Sequence, residues 1–252
     1  MSDRTVGGKK INKSLIVRKA MIPVKNSPTF FWLETKKLLA NFLDYIFPQF
    51  CLSCKKEGTI FCADCLNKLQ LLAIEKNPWP EESFVFDECH ICLDYHDVVV
   101  KKVIKKYKYS YFENLAEPIS KIYIKKIQQL DLADNFILAN IPLHKSKKKK
   151  RGFDQTELIA KKISDNLQIP YFNLLQRQRS TKTQARLNKE QRQKNMAQAF
   201  EINEKIDYKS LLTKPIVLID DIATTGTTLN EAAKVLKQAG FRQIICLALA
   251  KN

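Results

Sequence analysis

The chain has 252 residues, 45% of them hydrophobic, and its 43 Lys and Arg against 26 Asp and Glu give a formal net charge of +17. That length allows one good-sized core plus a small accessory module, and that hydrophobic fraction excludes a chain disordered throughout. No apolar run approaches the roughly 20 residues that span a bilayer, and no apolar segment with a small-residue cleavage site follows Met1, so a cytoplasmic protein with an anionic partner is expected.

Residues 1–30 carry Arg4, Lys9, Lys10, Lys13, Arg18, Lys19 and Lys25 with little periodicity, and read as a basic, disordered leader. Residues 31–76 read as a helix followed by a metal module. Leu38, Leu39, Phe42, Leu43 and Ile46 recur at helical spacing before Pro48. Cys51-Leu-Ser-Cys54 and Cys62-Ala-Asp-Cys65 then form two CxxC knuckles seven residues apart. Two such pairs can set four thiolates at about 2.3 Å around one Zn²⁺, and cysteines in a cytoplasmic chain argue for metal before disulfides. Gly58 lets the short connection turn sharply. Cys89-His-Ile-Cys92 does not extend this set, because positions three apart in a strand face opposite ways. His90, His96 and His144 show no ligand spacing.

Residues 84–252 read as the main domain. SFVFDECHICLDY predicts a strand, and Asp97 an N-cap for a helix whose apolar face is Val100, Val103, Ile104 and Tyr107. Its many lysines are expected around the remaining faces. Helical signal covers 112–129, where Pro118 predicts a kink or a start. FILANIPL (136–143) is a buried-type strand, and Phe153 to Leu167 a helix with Leu158, Ile159 and Ile163 inward. PIVLID predicts another buried strand, 227–239 a helix closed by Gly240, and QIICLALA a last strand. Continuous apolar strands alternating with amphipathic helices predict an α/β fold, a mainly parallel sheet covered on both faces.

Within VLIDDIATTGTT, Asp220 and Asp221 stand at the carboxyl end of the PIVLID strand, where open α/β sheets bind ligands. Ala223-Thr-Thr-Gly-Thr-Thr228 follows and enters a helix, so backbone amides and threonine hydroxyls can cradle a phosphate. No lysine follows the glycine, so this is not a Walker loop. Two carboxylates repel a phosphate but accept hydrogen bonds from vicinal hydroxyls. The combination predicts a site for ribose 5-phosphate.

VLIDDIATTGTTL resembles the signature of type I phosphoribosyltransferases, which bind phosphoribosyl pyrophosphate (PRPP). IPLHKSKKKKRGFDQTELIAKKI (141–163) is similar to the proline–basic–RGFNQ block of the ComF family, with Asp154 where Asn is usual. STKTQARLNKEQRQKNMAQAF (180–200) resembles that family's TxxQ…R…N…AF block, and a CxxC zinc module ahead of the domain is also its arrangement. Many members carry four CxxC knuckles where this chain has two, which leaves residues 66–83 as a reduced linker.

The resemblance implies a type I phosphoribosyltransferase-like sheet with a small N-terminal zinc module. It implies that Asp220 and Asp221 hold the ribose hydroxyls, directly or through Mg²⁺, with Asp221 as the catalytic residue. Ala223, Thr224, Thr225, Gly226, Thr227 and Thr228 then bind the 5-phosphate. His144, Lys145 and Arg151 belong to the pyrophosphate loop, Gln155 to the RGFNQ block, and residues 178–190 to a catalytic loop. The implied activity is transfer of phosphoribosyl with release of pyrophosphate, in nucleoside metabolism or linked to DNA uptake. A PRPP sensor without turnover is the alternative, as is a competence factor whose basic surface holds single-stranded DNA or a helicase. Tyr107, Tyr109, Tyr111 and Phe112 could stack bases there, but are expected in the core.

Overall fold

Strands covered on both faces need no polar alternation, and four uninterrupted apolar runs build the centre of this fold. They form a parallel sheet in the order β1 (Glu88–Asp94), β6 (Ile244–Lys251), β5 (Ile216–Ala223) and β2 (Ile137–Asn140). The structure is a computed structural model that describes residues 48–79, 84–109, 112–130, 132, 135–178 and 199–252. The expected leader, the helix expected before Pro48, Tyr111 and nearly all of the expected catalytic loop lie outside these residues. Everything below concerns the unit Gln49–Asn252.

Side chains alternate across the sheet and divide the core in two. Val217 and Ile219 face one cluster, Ile216 and Leu218 the other. The first cluster takes in α2 (Val98–Tyr109), α3 (Ala116–Ile127), α5 (Gln155–Leu167) and the cysteine-bearing segment with its short helix α1 (Ala63–Asn67). The second holds α6 (Thr227–Gln238) and an antiparallel pair, β3 (Leu175–Arg177) with β4 (Phe200–Ile202). Cys92 belongs to the first cluster and Cys89 to the second, so the two thiols diverge as strand geometry requires.

Local signals hold in detail. Asp97 Oδ1 accepts from the amides of Val99 and Val100 at 2.7 and 3.0 Å, capping α2. Val100, Val103, Ile104 and Tyr107 are its buried face. Pro118 is the third residue of α3, inside the first turn where its missing N–H is harmless. Gly240, at φ +103°, ends α6.

One segment departs from expectation. KSKKKKR is a helix, α4 (Lys145–Arg151), rather than a loop. His144 caps it by accepting from Ser146 N, Gly152 at φ +80° ends it, and the cations of its last turn complement the helix dipole. Lys148 also pairs with Glu157 at 2.8 Å.

The linker has work to do as well. Leu72 N donates to Cys92 O at 2.9 Å and Cys89 N to Lys76 O at 2.7 Å, so residues 72–76 cover the outer edge of β1. From α3, the fully buried Lys126 donates to Leu72 O and Ala73 O at 2.7 and 3.1 Å. Replacing that ammonium leaves two carbonyls short of a donor. Lys126→Met is therefore expected to cost about 1–3 kcal/mol, or about 2–4 °C in Tm for each kcal/mol. An unchanged or raised midpoint in thermal denaturation refutes this role for Lys126.

Candidate functional site

β2 pairs with β5 only as far as Asn140↔Ile219, whereas β5 stays paired with β6 to Ala223↔Lys251. Asp220 and Asp221 thus stand just past the end of β2. The helices that follow these neighbouring strands, α5 and α6, pack on opposite faces of the sheet. That reversal opens a crevice at the carboxyl ends of the two strands. A cleft of about 430 Å³ lies there, lined among others by Asp220, Asp221, Thr224, Thr228, Lys108 and Lys147.

Asp220 is 7% exposed. Burial, and then the adjacent Asp221 carboxylate, push its carboxyl up to about 7, against the opposing pull of the Asp221 amide, Lys108 and Arg177. The Asp221 amide donates to Asp220 Oδ1 at 2.8 Å, and Tyr123 Oη donates to the Asp220 carbonyl. Asp221 faces the other way. Its Oδ1 accepts from Lys108 Nζ at 2.9 Å and from Ile222 N at 2.6 Å.

The threonine-rich turn runs directly into α6. Gly226 sits at the N-cap at φ +71° and, having no side chain, offers no oxygen to the first-turn amides. Its conformation suits glycine, and space forbids anything else: a Cβ there would lie 2.9 Å from Phe84 and 3.1 Å from Trp79. Trp79 Nε1 also donates to the Thr224 carbonyl at 2.8 Å. Thr225 and Thr227 hydroxyls lie 2.8 Å apart.

Opposite this turn stands a cationic wall. Lys147 and Arg151, one helical turn apart on α4, line the cleft together with Lys105, Lys108 and Arg177. Burial and the like charges of Arg177, Arg151 and Lys108 draw Lys147 down to about 8, with Asp221 partly opposing. Arg177 lies over the Phe200 ring at 5.2 Å. Behind the wall, Asp154 caps α5 through Glu157 N at 3.2 Å and accepts from Leu143 N at 2.7 Å, tying the loop after β2 to the helix.

Away from the cleft, Cys51, Cys54, Cys62 and Cys65 bring their sulfurs within 4.8 Å of one another. Burial opposes ionisation of Cys51, but the amides of Cys62, Cys54 and Ser53 outweigh it and draw the thiol down to about 6. Gly58, at φ +91°, makes the turn between the knuckles. Four thiol sulfurs so gathered fit a metal such as zinc. Among the described residues no other such cluster occurs, and Cys89 and Cys92 take no part.

Of the residues singled out in the sequence, the structure brings Asp220, Asp221, Thr224, Thr228 and Arg151 to one cleft. Ala223, Thr224, Gly226 and Thr228 line a nook of about 10 Å³ beneath the turn. His144 caps α4, and Lys145 is exposed on that helix; neither is among the residues lining the cleft. Tyr107 is core, its hydroxyl donating to Gln155 O, but Tyr109 is not: it is 65% exposed beneath Arg151. Sequence reasoning missed Arg177 and Trp79, and saw Lys108 and Lys147 only as members of the basic runs Lys101–Lys108 and Lys145–Arg151, not beside the acid pair. The Asp154-x-x-Glu157 capping box was a readable signal for Asp154.

The phosphoribosyl transferase domain family matches residues 153–252. Competence protein F of Haemophilus influenzae is 32% identical over 128 residues, covering 50% of this chain and 54% of that protein. Competence protein ComFC of Bacillus subtilis is 28% identical over 157 residues, covering 58% and 56%. The chain thus spans little more than half the length of either relative. Adenine phosphoribosyltransferase from Leishmania tarentolae aligns at a TM-score of 0.39 and 13% identity, covering 73% of this chain and 95% of that one. The chain thus carries a phosphoribosyl transferase domain over residues 153–252 and is similar in sequence to competence proteins F and ComFC.

Proposed function

We propose that the cleft binds PRPP and that the chain transfers its phosphoribosyl group, releasing pyrophosphate, in the service of DNA uptake. The observation that carries this reading is a convergence. An acid pair, a helix N-terminus capped by glycine and a wall of cations meet across one cleft at the switch point of the sheet. Those are the complements of a diol, a monophosphate and a pyrophosphate. Breaking the bond from the anomeric carbon to the pyrophosphate oxygen builds positive charge on the ribose and negative charge on the leaving group, and the acceptor's nucleophilic atom bonds to that carbon. Asp221 favours the first charge; Lys147, Arg151 and Arg177 favour the second. Mg²⁺ would arrive with the pyrophosphate and neutralise part of its charge. Asp221, whose Oδ1 accepts from Lys108 and from a backbone amide, is the residue nearest to hand for such an ion.

A second reading has one observation in its favour. Tyr109 is exposed, carries Arg151 over its ring, and sits on the rim of the basic cleft. An aromatic face in a cationic groove suits single-stranded nucleic acid. On that reading binding is strongly salt-dependent and indifferent to the acid pair.

The test is titration calorimetry with PRPP and Mg²⁺. The wild-type chain should bind, and Asp221→Asn should bind little or release no pyrophosphate when acceptor fractions are added. Binding that survives Asp221→Asn unchanged defeats the reading.

Asp220 generates a separate expectation. Its carboxyl holds a proton up to about 7 in the folded chain, whereas unfolded aspartates titrate near about 4. The stabilisation from that proton is complete below the lower value and is lost as pH rises through the upper one. Asp220→Asn should therefore raise Tm at pH 8 by about 2–4 °C per kcal/mol of repulsion relieved, do less at pH 5, and weaken sugar binding. Equal melting shifts at both pH values contradict it.

For the cysteines, elemental analysis should find one zinc per chain, and Cys62→Ser should remove it. Two zinc ions per wild-type chain would show that Cys89 and Cys92 also ligate.

A further inference from the structure

Gln155 opens α5 and lines the cleft, yet it is only 1% exposed. Its amide is oriented by chemistry. Arg151 Nη1 approaches the side chain at 2.9 Å, and a guanidinium can only donate, so the atom it meets is Oε1. Nε2 must then point the other way. It is buried and has no hydrogen-bond partner. The backbone holds the residue firmly: Asp154 caps the helix beside it, and Tyr107 Oη donates to the Gln155 carbonyl at 2.9 Å. A fixed, buried amide donor left unsatisfied costs stability, and a fold retains such a group where something else supplies the acceptor.

We propose that Gln155 is a ligand-binding residue whose Nε2 donates to an oxygen of the pyrophosphate group held against Arg151 and Lys147. The assignment rests on the PRPP reading of the cleft. Its content is specific: Arg151 serves two ends at once, fixing the amide through one nitrogen and presenting its remaining N–H groups, with Lys147, to the same anion. An acceptor at this floor position completes the hydrogen bonding of a side chain that is otherwise incomplete. Gln155 also has the right polarity. A glutamate of the same shape would present only acceptors to a polyanion.

Three proteins and two ligands test this. Wild type, Gln155→Leu and Gln155→Glu are titrated with PRPP plus Mg²⁺ and, separately, with ribose 5-phosphate, and each is melted without ligand. Loss of one donor to a charged oxygen is expected to weaken PRPP binding by about 10- to 100-fold in Gln155→Leu. Ribose 5-phosphate, lacking the pyrophosphate, should change by no more than about twofold. Gln155→Glu should bind PRPP more weakly than Gln155→Leu does. The Tm of Gln155→Leu should be equal to or above that of wild type, since an unsatisfied buried donor has gone; a merely structural glutamine predicts a fall. Unchanged PRPP affinity in Gln155→Leu, or equal losses for both ligands, overturns the assignment while leaving the PRPP reading intact. A wild-type chain that binds neither ligand overturns both.

Discussion

Consecutive strand residues point to opposite faces, so Asp220 and Asp221 meet different close neighbours, and the cleft is arranged around that fact. Asp220 falls in the row of Ile216 and Leu218, against the buried second cluster, and burial there holds its proton up to about 7. Asp221 falls in the row of Val217 and Ile219, toward α2, where Lys108 meets it at 2.9 Å. Two carboxylates that would repel each other are thereby kept one residue apart: one holds a proton and the other a cation. The arrangement requires β5 to outrun β2, since a continued ladder would fill the cleft.

Those features that depend on local periodicity were legible in the sequence. The four parallel strands, the apolar faces of α2 and α5, the cap at Asp97 and the turn at Gly240 all follow from spacing and residue chemistry. So did the divergence of Cys89 and Cys92, which alternation alone dictates. What escaped was non-local or unpatterned. A run of lysines has no apolar period, so α4 carried no helix signal and Lys147 could not be told from its exposed neighbours. β3 and β4 are three residues each, too short for alternation to register. Lys108 lies 113 residues from Asp221, and Trp79 lies 145 from Thr224. No spacing rule reaches that far.

The segment between the cysteines and β1 shows how a stretch without periodicity can still be specified. Its backbone closes the edge of β1, Lys126 anchors it from beneath, and its end delivers Trp79 to the threonine-rich turn. The constraint is mutual. The aromatic rings leave no room for a Cβ at position 226, and the glycine's positive φ shapes the turn that meets them. Substituting Gly226 thus meets two obstacles at once, strain in the backbone and collision with Phe84 and Trp79.

Charge carries the argument one step further. A net charge of +17 says only that an anion is welcome somewhere, and most lysines among the described residues stand in solvent, where charge costs little. Lys147 does not: burial and three nearby cations lower its affinity for its own proton, a penalty an incoming polyanion would reverse. Close by, the Gln155 amide is left a donor without an acceptor. Two unfavourable arrangements of different chemical kinds, an over-crowded cation and an unanswered N–H, lie along one cleft and have the same remedy. A structural ion-pair network would have relieved both within the fold. Their coincidence is what the proposed ligand would answer, and what a merely basic surface would lack.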